Sequence, residues 1–557
     1  MSARPVEIRI LPENHRFQVQ PGQSLLKALA EKGLLIRSDC GGQGLCGKCL
    51  VQVEAIAPNR LAPPDASETE SLGPQLRKAG YRLACRVDVA SPLTVRLPQA
   101  ASRHYPGGPQ APTRLKKTVY NTTEPRHLPA QSGVAVDLGT TTIGLYLCDL
   151  EARKVVTSTF LRNPQAIYGA DVMSRIGAAR VFETRQKLQN MVIQAIETGT
   201  LSLCQALNLA PHKVVQMVVV GNPTMIHLLV GEDPTAIGLY PFKPAFVHPR
   251  QIAPGDLGFN VLGSAAVHTL PFASGFVGSD VIAAALASEM EKQPAGTLLV
   301  DIGTNGEILL AGADGFWAAS CATGPAFEGA MIRHGMEAVD GAIQGVKIDP
   351  HNHAVALAIV HSAASAPPKP AGICGSGVVS AVAELLRANI LLPDGRFNPE
   401  ATSPRLKRAT AIGTAFELAS PEKSFSGRSI LLTQKDIRAI QLAKGALKAG
   451  IDLLCCQAGL DRPRQILMAG AFGNHIDPQD AIAIGMFPRV SGNGPTAIGN
   501  AAGDGAVLAL LDPQYRRQAE QLARTTKVVD LVHHPDFEKT FIKALAFPEH
   551  QWQFKVR

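Results

Sequence analysis

A loop of cysteines and glycines near the start of the sequence has the composition of an iron–sulfur site. Cys40, Cys46 and Cys49 follow the spacing C-x5-C-x2-C, and a fourth cysteine, Cys85, lies farther along the chain. Four thiolates are the ligands that a 2Fe–2S cluster takes. Glycines let the backbone curve tightly around inorganic sulfur, with N–H groups directed at its negative charge. The glycines of this loop are Gly41, Gly42, Gly44 and Gly47.

Zinc is the alternative for the same four thiols, because a structural zinc ion also takes four cysteines. Zinc ribbons usually contain two close pairs of cysteines, whereas here three lie in a glycine-rich loop and one is distant. Cysteines that were merely buried in a core would leave the glycines unexplained. The spacing also resembles that of vertebrate-type and related bacterial ferredoxins rather than the plant type. We therefore predict a 2Fe–2S cluster bound by these four cysteines.

Two distant segments share a second pattern, in which an apolar strand leads into Asp-(Leu/Ile)-Gly-Thr and then into another apolar strand. A tight turn at the glycine exposes backbone N–H groups, and the hydroxyl groups that follow can contact phosphate oxygens. The aspartates, Asp137 and Asp301, can hold a magnesium ion through its water shell or orient an attacking water. The predicted phosphate-binding residues are Gly139, Thr140, Thr141 and Thr142 in the first turn and Gly303, Thr304, Asn305 and Gly306 in the second.

Either segment alone could be an ordinary β-hairpin, but the repetition favours two similar domains that face each other. The pair resembles the superfamily of acetate and sugar kinases, heat-shock chaperones and actin, in which each half of the ATPase contributes one phosphate loop. That resemblance implies a third, glycine-rich motif for the adenosine of ATP. The segment from Ile466 to Gly473 supplies it with Gly470 and Gly473, although Ala471 replaces one glycine of the usual Gly-Gly-x-Gly form.

Three further positions have two interpretations each. The turn Gly372-Ile-Cys-Gly375-Ser-Gly377 is predicted to lead into a helix, where Gly375 either contacts nucleotide or allows close helix packing. Glu328 is a candidate catalytic carboxylate that acts on magnesium or on the attacking water, and the alternative is that it caps a helix. The segment Gly499-Asn-Ala-Ala-Gly503-Asp-Gly505 is predicted to be a packing turn rather than a nucleotide contact.

Composition and charge exclude several classes of protein. The chain has 557 residues, of which 46% are hydrophobic and 18% charged, so wholesale disorder is excluded. Neither a block of basic residues nor an apolar run of membrane-spanning length is present, and the first residues lack the apolar core of a secretory signal. We expect a cytoplasmic protein without nucleic-acid or membrane partners. In that reducing compartment its ten cysteines are not a disulfide framework.

The elements that must position these residues divide the sequence into four parts of a multidomain α+β and α/β protein. The first part is predicted to contain a strand over residues 82–89 and a helix over 69–78. The resemblances imply a β-grasp ferredoxin domain followed by a two-lobed actin- or kinase-like ATPase built on duplicated RNase H-like domains. The predicted parts are residues 1–98 (ferredoxin domain), 99–130 (Pro-rich linker), 131–296 (first lobe) and 297–557 (second lobe with the adenosine motif).

An iron–sulfur domain joined to this type of ATPase resembles the reductive activators of corrinoid proteins. Four more segments carry the resemblance, and they begin at Asn163, Val220, Gly324 and Thr433. Pro223 and Asp504 depart from residues common in the family, and neither is expected to contact the cluster or the phosphate loops. The resemblance implies a 2Fe–2S cluster, ATP and Mg²⁺ as cofactors, and it favours a homodimer.

The activity implied by this family is the transfer of one electron from the cluster to a Co(II) corrinoid protein of a methyltransferase system, which restores Co(I). The electron donor to the cluster cannot be named from the sequence. Each ~59 mV of unfavourable potential costs about 1.4 kcal/mol for one electron, so ATP would drive the reduction. Three alternatives are an ATP-driven donor to another low-potential enzyme, an ATP-binding redox sensor or chaperone, and a small-molecule kinase. The first type usually binds a 4Fe–4S cluster between subunits, the second passes no electron to a corrinoid protein, and the third needs no iron.

Overall fold

A computed structural model of the chain describes residues 4–11, 14–97 and 129–549, apart from positions 33, 35, 39, 41, 45, 56–60, 264, 362–367, 411, 474 and 491–493. The predicted Pro-rich linker over 99–130 falls almost wholly outside the described residues, and it stays a prediction. The described parts form a small N-terminal domain and two larger lobes, each with its own β-sheet.

The N-terminal domain is a five-stranded mixed sheet with the strand order β2-β1-β5-β3-β4. Apolar and polar residues alternate along its first strand, so that Val6, Ile8 and Ile10 point into the core. The Oγ of Ser24 accepts a hydrogen bond from the Lys27 N–H and caps the first helix, which packs its apolar face on the sheet. The elements are β1 (Val6–Leu11), β2 (His15–Val19), α1 (Leu25–Glu31), β3 (Leu50–Ala55), α2 (Ala66–Ser71), α3 (Pro74–Lys78), β4 (Tyr81–Leu83) and β5 (Leu93–Arg96).

Two local predictions in this domain are wrong. The strand predicted over 82–89 ends at Leu83, because the chain turns into a short 3₁₀ helix, Ala84–Arg86, that carries Cys85. The single helix predicted over 69–78 is two helices. Pro74 has no N–H for a continuing helix, so it starts α3 instead, with Gly73 as its N-cap.

The first lobe contains a six-stranded sheet with the order β10-β11-β9-β6-β7-β8. Its central strands are nearly continuous apolar runs, as expected for strands covered by helices on both faces. The elements are β6 (Ser132–Leu138), β7 (Thr142–Asp149), β8 (Lys154–Arg162), α4 (Val172–Ala179), α5 (Phe182–Ala206), β9 (Val214–Gly221), α6 (Pro223–Val230), β10 (Gln251–Ile252), α7 (Pro254–Leu257), β11 (Ala266–Thr269) and α8 (Ser279–Ala287).

The second lobe contains a six-stranded sheet, β22-β21-β12-β13-β14-β23, and two small sheets, β16-β15-β17 and β18-β19-β20. In the described ranges we find no helix with both the length and the apolar character needed to cross a membrane. The strands are β12 (Thr297–Ile302), β13 (Gly306–Gly312), β14 (Gly315–Cys321), β15 (Ala342–Ile348), β16 (Val355–Ile359), β17 (Gly372–Ile373), β18 (Leu406–Thr410), β19 (Gly413–Ala419), β20 (Ile430–Thr433), β21 (Gln465–Ala469), β22 (Thr496–Gly499) and β23 (Lys527–Val528). The helices are α9 (Gly375–Arg387), α10 (Gln434–Gln457), α11 (Gly470–Gly473), α12 (Pro478–Ala483), α13 (Ala501–Leu511), α14 (Pro513–Thr525) and α15 (Phe537–Leu545).

The two large sheets are built to the same plan. In both, the first strand pairs antiparallel with the second strand and parallel with a later strand, and the second pairs antiparallel with the third. The orders β8-β7-β6-β9-β11 and β14-β13-β12-β21-β22 therefore correspond strand by strand. This correspondence confirms the predicted duplication of an RNase H-like domain behind a β-grasp domain. The lobes meet through α8 and α13, which share one apolar core with strands of both sheets.

The crossing of α8 and α13 requires glycine, and this generates a prediction. A Cβ at Gly505 would lie 1.9 Å from the carbonyl oxygen of Ala283 on α8, so Gly505→Ala must push the helices apart. We expect the free energy of unfolding to fall by about 1–3 kcal/mol, the usual cost of overpacking. Gly177→Ala is the matched control, because a Cβ there meets nothing within 4 Å. It should stabilise α4 by about 0.5–1 kcal/mol. Urea unfolding measures both, and equal effects would contradict the close crossing.

Candidate functional site

The four predicted cluster cysteines lie together at one end of the small domain. Cys40, Cys46 and Cys49 are on the loop between α1 and β3, and Cys85 is on the 3₁₀ turn after β4. The Sγ atoms of Cys49 and Cys85 are 3.3 Å apart, and Cys46 is hydrogen-bonded to Cys40. The thiols therefore form two pairs. The hydrogen bond with Cys85, together with burial, raises the pKa of Cys49, and the same hydrogen bond lowers the pKa of Cys85.

The loop fits a 2Fe–2S cluster better than a single zinc ion. The four thiols form two pairs, which match the two irons of a cluster with two thiolates each, whereas a zinc ion gathers all four thiolates around one centre. The backbone at Gly42, Gly44 and Gly47 is left-handed, with φ of 87°, 78° and 67°. Residues with a side chain rarely adopt such a backbone, so glycine suits the curve of the loop at these three positions.

The two predicted phosphate loops are tight turns at the same place in the two large sheets. The first joins β6 to β7, and the Gly139 N–H donates to the Thr142 carbonyl oxygen at 3.0 Å. The second joins β12 to β13, and the Gly303 N–H donates to the Asn305 carbonyl oxygen at 2.9 Å. Asp137 and Asp301 each stand near the end of the strand that leads into the turn.

The carboxylate of Glu328 connects the two loops. The hydroxyl of Thr304 donates to its Oε1 at 2.9 Å, and the hydroxyl of Thr141 donates to its Oε2 at 3.4 Å. Glu328 lies in a turn, so the alternative prediction that it caps a helix is wrong. One side chain of the second lobe thus accepts hydrogen bonds from the phosphate loops of both lobes.

A set of partly buried carboxyl groups surrounds the two loops. Burial raises the pKa of Asp137 to about 6, although a hydrogen bond from Asn500 at 2.8 Å opposes the shift. Burial and the negative charge of neighbouring carboxylates raise the pKa of Asp280 and of Asp301 to about 7. The pKa of Glu307 is raised for the same reasons. Carboxylates this close repel each other when ionised, and a bound cation would relieve the repulsion.

Sequence reasoning missed two of these carboxyl groups, Glu307 and Asp280, and also the asparagine that donates to Asp137. Glu307 was detectable, because the register of the β12–β13 hairpin pairs it with Asp301 across the two strands. Asp280, in the first turn of α8, gave no local signal because its neighbours come from other segments. Asn500 lies in the segment predicted to be only a packing turn. Gly503 and Gly505 do pack closely there, but Asn500 also binds Asp137.

Arg175 on α4 is a further residue that the sequence did not reveal. Its side chain is completely buried, and it donates to the carbonyl oxygen of Thr140 at 2.5 Å and to that of Gly169 at 2.9 Å. Burial lowers its pKa to about 9. Asn222 donates to the Thr140 hydroxyl at 3.0 Å. Two side chains of the first lobe, Arg175 and Asn222, therefore fix the first predicted phosphate loop through hydrogen bonds to Thr140.

The remaining glycine predictions have different outcomes. Gly470 has a φ of 87°, and a Cβ there would lie 2.5 Å from Oδ1 of Asp301, so the predicted adenosine motif lies against the second phosphate strand. Gly473 ends the same short helix, α11. Gly375 is the first residue of α9, where a Cβ at Gly377 would lie 2.1 Å from the Ile343 carbonyl oxygen. Close helix packing explains that turn, and nucleotide contact by Gly375 stays a prediction.

Comparisons with known proteins cover nearly the whole chain. Residues 8–90 match the family of 2Fe–2S iron–sulfur cluster binding domains, which confirms the prediction of such a domain. Residues 132–293 match the RACo middle region, and residues 295–556 match the C-terminal domain of RACo, the ASKHA domain.

Three individual proteins are similar over long stretches. The corrinoid activation enzyme RamQ of Eubacterium limosum is 32% identical over 424 residues, which are 74% of this chain and 70% of that protein. The [Co(II) methylated amine-specific corrinoid protein] reductase of Methanosarcina barkeri is 27% identical over 64% of this chain and 66% of its own length. The solved structure of a reductive activator for corrinoid, iron–sulfur protein covers 98% of both chains, with 26% identity and a TM-score of 0.68.

The cysteine pairs give a test of the cluster loop. Cys46→Ser replaces one thiolate of the first pair, so we expect loss of most bound iron and of the visible iron–sulfur absorption. Nucleotide binding itself should persist, because the proposed phosphate loops belong to the two lobes and not to the small domain. Cys456→Ser, at an exposed cysteine on α10, is the control. Retention of iron in Cys46→Ser, or zinc in place of iron in the unchanged protein, would contradict the assignment.

Proposed function

Since this chain belongs to the family of reductive activators of corrinoid proteins, we propose that it uses ATP to return an inactive Co(II) corrinoid protein to the Co(I) state by transfer of one electron. The observation that carries the proposal is the pairing of two sites in one chain. One site holds four thiols in a 2Fe–2S type domain, and the other holds twin Asp-Gly-Thr turns joined by Glu328.

We assign the pair Cys40 and Cys46 to one iron and the pair Cys49 and Cys85 to the other. When bound, the cluster supplies the single electron that converts Co(II) to Co(I), and an external donor must then return one electron to it. The chain's own contribution is the loop itself, in which glycines with positive φ curve the backbone that carries the thiols.

For ATP, each lobe supplies one set of donors. The N–H groups and hydroxyls at 139–142 and 303–306 would bind the phosphates, and Gly470 and Gly473 would lie against the adenosine. Asp137 and Asp301 would hold Mg²⁺ through its water shell, since buried carboxyl groups with raised pKa values favour a cation between them. Glu328 would orient the attacking water, because phosphates that engage Thr141 and Thr304 would free its carboxylate beside both loops.

ATP can drive the reduction only if it binds two arrangements of the protein with different affinity. We infer that the twin loops supply the two arrangements, because they belong to separate lobes that pack together through α8 and α13. A nucleotide that contacts both loops favours the arrangement in which they are close together.

The partner we propose is a corrinoid protein of a methyltransferase system. All three similar proteins bear names that refer to corrinoid proteins, and a separate four-cysteine domain distinguishes this chain from an ordinary kinase. An electron donor outside this chain is required by electron balance. A homodimer is part of the proposal, on the basis of the family.

Loss of one phosphate-loop aspartate should separate ATP use from cluster binding. In Asp301→Asn the Mg²⁺ site loses a charge, so we expect ATP-dependent formation of Co(I) to fall by at least about 100-fold, as when a group that stabilises developing charge is removed. Iron content should stay unchanged. Asp314→Asn, at an exposed turn between β13 and β14, is the control. The measurement is the Co(I) absorption band after anaerobic mixing with a Co(II) corrinoid protein, and full activity in Asp301→Asn would contradict the proposal.

The raised carboxyl pKa values predict a pH dependence for binding of Mg²⁺ with ATP. At pH 6 Asp301, with a pKa of about 7, is mostly protonated, and Mg²⁺ must displace the proton. Binding should therefore release protons at pH 6 and not at pH 8, and affinity should fall by up to about tenfold per pH unit below the pKa. Calorimetry in two buffers with different ionisation enthalpies counts the protons. Equal affinity and no proton release across pH 6–8 would mean that these carboxyl groups do not bind the metal.

A further inference from the structure

The small domain packs on the second lobe at the segment that follows Glu328. We call residues 328–336 the Glu328 loop. Arg37, just before the cluster cysteines, donates from Nη2 to the carbonyl oxygen of Glu328 at 3.1 Å. Lys48, between Cys46 and Cys49, reaches into the same loop. The part of the chain proposed to bind the cluster thus contacts the part proposed to sense nucleotide.

Lys48 is held by three backbone carbonyl groups of the Glu328 loop. Its Nζ donates to the carbonyl oxygens of Gly329, at 2.7 Å, of Ile332, at 3.2 Å, and of Gly335. An ammonium group has three N–H donors and no acceptor, so three converging carbonyls match it.

Two glycines allow the Glu328 loop to curve so that its carbonyl groups converge on Lys48. Gly329 has a φ of 73°, and a Cβ at Gly335 would lie 1.9 Å from the Gly329 carbonyl oxygen. The two ends of the loop can approach each other only because a side chain is missing there. Its middle is tied to the second lobe, since the Arg333 N–H donates to Oδ1 of Asp436 at 2.8 Å.

At the other end of the loop, Glu328 occupies two threonine hydroxyl groups that are predicted to bind the phosphates of a nucleotide. The Glu328 carboxylate accepts from the hydroxyls of Thr141 and Thr304. A threonine hydroxyl has a single proton to donate. Each threonine can therefore serve the carboxylate or a phosphate oxygen, but not both, so phosphate binding and the present position of Glu328 exclude each other.

Other contacts of the small domain do not involve the Glu328 loop. Arg428 donates to the carbonyl oxygen of Glu70 at 2.7 Å and to that of Thr69 at 3.4 Å, near β20. Between this contact and Lys48 lies a cleft of about 1350 Å³, lined among others by Cys46, Met331 and Arg333. The small domain thus contacts the second lobe on two sides of an open cleft, and its helix α1 also contacts residues 164–168 of the first lobe.

We propose that Lys48 is a positioning residue that couples nucleotide occupancy to the docking of the cluster domain. When phosphates engage Thr141 and Thr304, Glu328 leaves them, the Glu328 loop shifts, and Lys48 loses its three carbonyl partners. The cluster side of the small domain then detaches, and the cluster loop becomes accessible to a partner protein. This inference rests on the proposed function, because it deepens the role of the same nucleotide site.

Coupling of this kind is reciprocal, which makes it measurable without any electron transfer. If nucleotide weakens docking, then loss of docking must strengthen nucleotide binding by the same factor. Lys48→Met keeps the length of the side chain and removes the charge. We expect it to bind ATP with Mg²⁺ about 5- to 150-fold more tightly than the unchanged protein, the range typical of coupled sites.

The experiment uses the full-length, cluster-loaded protein and compares four forms: unchanged, Lys48→Met, Arg37→Met and Lys27→Met. Lys27 is an exposed lysine on α1 of the same domain and serves as the matched control. Arg37→Met removes the neighbouring contact without altering the stretch between the cysteines, so it tests the inference if Lys48→Met fails to load iron. Calorimetry gives the affinity for ATP with Mg²⁺, and hydrogen exchange gives the protection of the amides of residues 328–336.

In the unchanged and Lys27→Met proteins, ATP should speed exchange in the Glu328 loop several-fold. In Lys48→Met and Arg37→Met, exchange should already be fast without ATP, with tighter nucleotide binding and unchanged iron content. A merely structural role would lower the unfolding temperature without changing nucleotide affinity, and that result overturns the coupling. Absence of ATP binding in the unchanged protein overturns the proposed function and the coupling with it. Normal binding with Lys48→Met indistinguishable from Lys27→Met overturns the coupling alone.

Discussion

The position of the Glu328 carboxylate between two threonine hydroxyls is the constraint on which the site depends. Thr141 belongs to the first lobe and Thr304 to the second, so the two lobes are joined at the phosphate loops by one side chain. A hydroxyl cannot serve two acceptors with one proton, and this gives the arrangement two exclusive states. Salt bridges at the surface could hold the lobes together, but they would not respond to phosphate in this way.

Around this contact, burial raises the pKa values of a group of carboxyl side chains. Asp137, Asp280 and Asp301 lie where their ionised forms are poorly solvated and repel each other, so their pKa values rise toward neutrality. When these carboxyl groups are ionised, their mutual repulsion lowers the stability of the folded protein. A bound cation removes that repulsion. The fold tolerates the set because the duplicated sheets place the ends of β6 and β12 opposite each other, with α8 and α13 packed between them.

The sequence was sufficient to predict functional residues wherever those residues lie close together along the chain at a characteristic spacing. The C-x5-C-x2-C loop and the repeated Asp-Gly-Thr turns indicated the four cluster cysteines, the duplication and the family. It was insufficient where the partner comes from a distant segment. In the sequence Arg175 looks like an ordinary helix residue, and only the structure shows that it donates to Thr140. Likewise Lys48 looks like an ordinary loop lysine, and only the structure shows that carbonyl groups of the Glu328 loop surround its ammonium group. The predicted strand over 82–89 failed because Cys85 must turn toward Cys49, a tertiary demand that no alternation of residues reveals.

The contacts between the small domain and the second lobe are of a kind that can form and break reversibly. Its apolar cluster is made only of residues between Val6 and Leu97, so undocking exposes no core of its own. The described hydrogen bonds between the small domain and the second lobe run from Arg37 and Lys48 of the small domain, and from Arg428 of the second lobe, to backbone carbonyls across the interface. Such bonds can be exchanged for water at modest cost, whereas a shared apolar core could not be opened repeatedly. An interface of cations and carbonyls is therefore weak enough to be reversed by the binding energy of a nucleotide, as the proposed coupling requires.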